Sequence, residues 1–119
     1  MNRTTPDNID SLLPHEVFVF GSNREGQHGG GAARTACLKF GAVMGEGEGL
    51  QGQSYALPTM EGLDELRLSA KRFIDFARVQ PDLVFYLTKV GCGIAGYDEA
   101  QVKPLFADAP PNVIKPSGW

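Results

Sequence analysis

Hydrophobic residues fall along this chain in short blocks, and the spacing within each block predicts an element. Val17–Phe20 ("VFVF") is continuously apolar, the pattern of a strand buried on both faces. From Ala32 to Phe40 the apolar positions Ala33, Ala36, Cys37 and Phe40 keep helical spacing, with Gly41 placed to end the helix. Residues 42–53 are rich in glycine and read as a loop, and Ser54–Leu57 ("SYAL") reads as a second strand stopped by Pro58. Asp64–Val79 is the clearest helix: Leu66, Ala70, Phe73, Ile74 and Ala77 share one face, and Arg67, Lys71, Asp75 and Arg78 lie mostly on the other. Leu83–Val90 ("LVFYLTKV") predicts a third strand. Asp98 and Gln101 have capping-box spacing for a helix near 98–107, which Pro104 shortens or kinks, and Asn112–Lys115 predicts a last short strand.

The order β-α-β-α-β-α-β implies one α/β domain with a mainly parallel sheet and helices on both faces, over residues 15–119. Residues 1–14 are polar, carry Pro6 and Pro14, and read as a surface arm. A length of 119 residues supports one core and not two. Apolar residues make up 42% and charged residues 21%, the balance of a globular protein. No apolar run approaches the roughly 20 residues of a membrane span, and the opening residues lack a run of signal-peptide length, so the expected location is the cytoplasm with no membrane partner. The two cysteines, Cys37 and Cys92, form neither a disulfide framework nor a metal motif. The formal charge is −3, with lysines and arginines scattered singly, which argues against a nucleic-acid partner.

The glycines change the picture, because 13 of the 15 gather at 21–31, 41–52 and 91–96. The first and last clusters each follow a predicted strand and precede a predicted helix. In parallel sheets, ligands bind beyond the carboxyl ends of strands where the strand order reverses, so these loops face one crevice if their strands are neighbours. Gly29, Gly30 and Gly31 would bring bare backbone N–H groups to the start of the helix at Ala32, a natural seat for phosphate. "GCGIAG" (Gly91–Gly96) repeats the arrangement, and two such loops suit a diphosphate flanked by sugars. The plainer reading is that these glycines only make tight turns. "GCGIAG" also matches the dinucleotide-binding fingerprint, but no acidic residue follows at the needed distance and no second nucleotide half fits. No lysine of the P-loop type follows "GGG".

The side chains in and near these loops supply candidate chemistry. Asn23 can hydrogen-bond vicinal sugar hydroxyls or merely close a turn. His28 can act as an acid/base, the role histidine side chains commonly take near neutral pH, or stand in solvent. Glu46 and Glu48 can polarise a water if their loop folds over the crevice, and otherwise form a solvated loop. Cys92 becomes a nucleophile only where its thiolate is favoured. Tyr97 offers a ligand wall or a core contact. Nothing calls for a cofactor or a metal.

"FGSN", a spacer and "GGGAA", followed by "SYALPT" and "VGCGIAGYD", resemble in order the signature segments of macro domains across residues 16–115. The resemblance implies a three-layer α/β/α fold that binds ADP-ribose or a related nucleotide-derived ligand, free or attached to a protein. It implies that Asn23 faces the distal ribose, that Gly29, Gly30 and Gly31 line the distal ribose and diphosphate, and that Gly21, Ser22 and Ala32 are also among the ligand-binding residues. Gly91, Cys92, Gly93, Ile94, Ala95 and Gly96 would wrap the diphosphate, with Tyr97 beside the distal ribose. Hydrolytic members carry an acid or paired glutamates after the glycine run, where this chain has Ala32 and Ala33. Three readings follow: a binding module, a hydrolase of an ADP-ribosyl or phosphoribosyl linkage using Asn23 with His28 or a glutamate of 46–48, and a structural protein without a ligand.

Overall fold

Strand β1, Glu16–Ser22, forms the middle of the sheet in the computed structural model, which describes residues 3–119. The other elements are α1 (Gly31–Lys39), β2 (Gly49–Gln51), β3 (Ser54–Pro58), α2 (Leu63–Arg78), β4 (Val84–Leu87), α3 (Glu99–Val102) running into a 3₁₀ turn (Lys103–Phe106), and β5 (Val113–Ile114). The sheet order is β2-β3-β1-β4-β5, and every pairing is parallel except β2 with β3. The fold is therefore α/β with a five-stranded, mostly parallel sheet and three helices.

Alternation along β1 divides the core. Phe18 and Phe20 point to the face covered by α1 and meet Ala33, Ala36, Phe40 and Ala56. Val17 and Val19 point to the opposite face, where Tyr55, Leu57, Phe85 and Leu87 meet α2 and α3. The predicted stripe of α2 is the buried one, and Phe73 at its centre is fully buried against Tyr55, Phe85 and Phe106, with ring centroids at 4.9, 5.4 and 6.3 Å. Helix α1 instead buries two alanines against the strands, so it sits close to the sheet. The Asp98–Gln101 capping box starts α3, and Pro104 falls where the α-helix passes into the 3₁₀ turn.

Two expectations are corrected. The stretch 42–53, predicted as loop, contains β2. Its hairpin to β3 turns through Gly52 and Gln53, with Gly52 at φ +61°, the glycine-first geometry of a two-residue hairpin. Gly52 also lies against Gly41, where a Cβ would come within 3.0 Å of the Phe40 carbonyl oxygen and the Gly41 Cα. The added strand changes the order to β-α-β-β-α-β-α-β. The strand predicted to reach Val90 stops at Leu87, because the Thr88 hydroxyl folds back to donate to the Val19 carbonyl at 2.7 Å and the Val90 N–H turns onto the Thr88 carbonyl at 2.7 Å. The Thr88 N–H still reaches the Val19 carbonyl at 3.3 Å, and residues 89 and 90 leave the sheet. Of the predicted arm, Thr4 bridges Lys115 beyond β5, and the buried Thr5 hydroxyl lies 2.7 Å from the Leu87 carbonyl. Within the described residues, no helix is long and apolar enough to cross a membrane.

Burial lifts the pKa of Tyr55 from 10.0 to about 12, with the Glu48 carboxylate adding to the effect. The folded state thus holds this proton more tightly than the unfolded chain, and stability is complete below pH 10 and falls as pH rises toward 12. Tyr55→Phe should make the alkaline loss of stability shallower, which melting temperatures between pH 9 and 11 will show.

Candidate functional site

Parallel pairing of β1 with β4 places the loops after them side by side. Their following helices leave in opposite directions: α1 packs on the Phe18 face and α3 on the Val17 face. This divergence is the topological switch at which α/β sheets leave a crevice. A cleft of about 330 Å³ opens there, floored by the carboxyl ends of β1, β3 and β4 and walled by the start of α1 and the loop 93–95. A shallower hollow of about 500 Å³ beside β5, lined by Arg3, Lys115 and Trp119, lies away from both glycine loops.

The α1 wall is main chain. Gly30, in extended conformation (φ −155°, ψ 168°), precedes the helix and supplies no capping side chain. The first helical bond runs from the Arg34 N–H to the Gly30 carbonyl at 3.2 Å, so the N–H groups of Gly31, Ala32 and Ala33 have no acceptor within the helix. The facing wall is similar. Gly96 donates to Gly93, and Tyr97 to Gly91, which closes the loop and leaves the N–H groups of Gly93, Ile94 and Ala95 without an acceptor among the described residues. Lys89 is the one charged residue among those that line the cleft. In a chain of net charge −3 the cleft is thus lined by one basic residue, no acidic residue, and two runs of residues with unpaired N–H groups.

Of the residues predicted for the site, Gly21, Ser22, Asn23, Gly30, Gly31, Ala32, Gly91, Gly93, Ile94 and Ala95 line this cleft. Gly29, Cys92, Gly96 and Tyr97 stand beside it but do not line it; Cys92 and Tyr97 pack on the α2 side of the core. Burial, followed by the Glu99 carboxylate, pushes the Cys92 thiol up, which favours the unreactive protonated form. Gln27, Ala33, Thr59, Met60, Thr88, Lys89 and Val90 line the cleft unforeseen. Thr59 and Met60 directly follow β3, and Thr88–Val90 became available only because β4 ends early.

Asn23 works as a loop clamp. Its Nδ2 donates to the Gln27 carbonyl at 3.1 Å, and the Gln27 N–H donates to its Oδ1 at 2.8 Å. One amide hydrogen and one oxygen lone pair remain for a ligand. His28 is outside the cleft and 2% exposed, edge-on to Phe20 at 5.2 Å. Its Nε2–H donates to the Glu46 carbonyl at 3.0 Å, a tautomer fixed because a carbonyl only accepts, and its buried Nδ1 has no partner among the described residues. Gln51 donates to the same Glu46 carbonyl at 2.9 Å and accepts from the Val43 N–H at 2.8 Å. Glu46 therefore acts through its backbone, and its side chain is exposed. Glu48 accepts two bonds from Arg72 of α2, at 2.7 and 3.0 Å, on the outer side of the loop. The arrangement gathers main-chain donors and leaves the predicted acids and imidazole elsewhere.

Comparison with protein-family models, curated proteins and solved structures finds no match to this chain.

The loop 43–48 presses on the Asn23 turn without a gap. Gly45 donates to the Gly26 carbonyl at 2.9 Å, and a Cβ on Gly47 would fall 2.2 Å from the Asn23 carbonyl oxygen. Gly47→Ala must push these strands of chain apart. We expect a loss of about 1–3 kcal/mol in urea unfolding, typical of overpacking, together with shifted amide resonances at residues 23–27.

Proposed function

We propose that this protein is a binding module for a nucleotide-derived diphosphate, with ADP-ribose the leading ligand. One observation carries the reading: a single cleft is lined both by the start of α1 and by residues 93–95, whose N–H groups have no acceptor among the described residues, and by Lys89. A helix N-terminus opposite a second row of donors favours negative charge spread over two phosphates more than a single point charge. The resemblance of "FGSN", "GGGAA" and "VGCGIAGYD" to macro-domain segments, together with helices packed on both sheet faces, favours ADP-ribose within this class. The free hydrogen and lone pair of Asn23 suit adjacent hydroxyls of a ribose. The cleft is at the small end of ligand sites, so a diphosphate and one sugar would fill it. A base or an attached protein would extend past Met60 and Ile94, which are 47% and 87% exposed. Binding is preferred over hydrolysis because the lining residues include no carboxylate and no imidazole.

Gly30 offers a test in which binding and stability move in opposite directions. Its extended backbone suits an N-cap, and a Cβ there meets no atom within 4 Å. In Gly30→Asp the new carboxylate would take the N–H groups of α1, raising stability by a few tenths of a kcal/mol while occupying the anion seat. Wild-type protein at 100 times the ADP-ribose dissociation constant should gain about 2.7 kcal/mol, a melting shift of about ten degrees. Gly30→Asp should melt no lower than wild type and lose that shift. Absence of any ADP-ribose response in wild type would refute the assignment.

A further inference from the structure

The one cation of the cleft is already engaged. Lys89 Nζ donates to Glu99 Oε2 at 3.2 Å, and the other oxygen of that carboxylate accepts from the Trp119 indole N–H at 2.8 Å. Trp119 is held in turn, its ring stacked on Phe106 at 6.0 Å and its backbone N–H bonded to the Pro116 carbonyl at 3.0 Å. Glu99 lies in the first turn of α3, directly after the capping Asp98. A short relay therefore runs from a ring anchored on the core, through a carboxylate, to the ammonium group of Lys89, a residue that lines the cleft.

We propose that Glu99, fixed by Trp119, is an internal rival for Lys89 that a ligand's diphosphate must displace. The inference rests on the diphosphate reading of the cleft. An ammonium group bonded to a carboxylate is partly neutralised, and the carboxylate adds negative potential beside the seat of the anion. Lys89 and Glu99 are each 49% exposed, so water screens their attraction and a polyanion can draw the ammonium away. Trp119 fixes where the released carboxylate stays, and its indole remains bonded to it. Glu99 thus sets a charge threshold: ligands with a diphosphate exchange for it, and ligands with little or no charge leave the pair intact. This makes Glu99 a specificity-determining residue, acting through Lys89. The pair also accounts for the lowered pKa of the Glu99 carboxyl, which is held below its ordinary value first by the Trp119 bond and then by Lys89.

Calorimetric titration of the full chain with ADP-ribose tests this, on wild type, Glu99→Gln and Lys89→Ala. Glutamine keeps an oxygen for the Trp119 indole and removes the rival charge. Glu99→Gln should bind about two- to fivefold tighter, the range expected for one exposed ion pair, and Lys89→Ala more weakly than wild type. Trp119 is the only tryptophan, so its emission reports on Glu99 directly. It should change when wild type is saturated with ADP-ribose and stay constant when Lys89→Ala is saturated. Equal or weaker binding by Glu99→Gln, with wild type binding normally, overturns this inference and leaves the cleft assignment standing. Silence from every variant overturns the inference and the cleft assignment together.

Discussion

The adjacency of β1 and β4 is the constraint on which the rest depends. Were β4 paired elsewhere, the two glycine loops would end on separate edges of the sheet, each a simple turn. Because the strands run parallel and side by side, their carboxyl ends are level, and because α1 and α3 depart to opposite faces, nothing fills the space between. The sheet interior enforces this arrangement through side chains that alternate on β1. Phe18 and Phe20 demand cover on one face, and Val17 and Val19 on the other. A right-handed crossover from β3 to β4 must then pass α2 over the Val17 face, which is where Phe73 lies buried.

The second layer of organisation is the strap formed by residues 43–48. It contributes no side chain to the cleft, yet it holds the Asn23 turn from below through main-chain contacts and through the Glu46 carbonyl shared by His28 and Gln51. Residues that look chemically suggestive in the sequence here do structural work. The His28 imidazole joins Phe20 to the strap, and the Glu48 carboxylate ties the strap to α2 through Arg72. Asn23 does structural work and also lines the cleft, since the bonds that close its turn fix its amide there.

The legible parts of the sequence were those written as local periodicity. The stripe of α2, the continuous run of β1, the capping box at Asp98 and the two loops at strand ends are all encoded within a few residues. The parts that escaped depend on contacts distant in sequence. Strand β2 is three residues long, begins with Gly49 and leaves Leu50 45% exposed, so it carries no run for periodicity to detect; only its pairing with β3 makes it a strand. Thr88–Val90 reads as a continuation of β4 until the Thr88 hydroxyl finds the Val19 carbonyl across the sheet. Lys89 thereby passes from a strand position to the lining of the cleft. His28 gave no sign of its burial, because the ring that covers it comes from β1 and its acceptor from the strap.

Eight of the 17 residues that line the cleft are glycine or alanine, and this has a consequence for how the protein tolerates change. Removing side chains from Gly30, Gly31, Ala32, Gly93 or Ala95 is impossible or nearly so, and shortening Ile94 leaves its N–H in place. Systematic alanine replacement, the usual way to map a surface, would remove no side-chain contact at these positions, and at Gly31, with φ +57°, it would read backbone strain instead. The information sits in the orientation of peptide planes. Drift in sequence can erase familiar residue signatures around such a cleft while its electrostatic shape persists, provided the backbone keeps its path and no added atom shadows the donors.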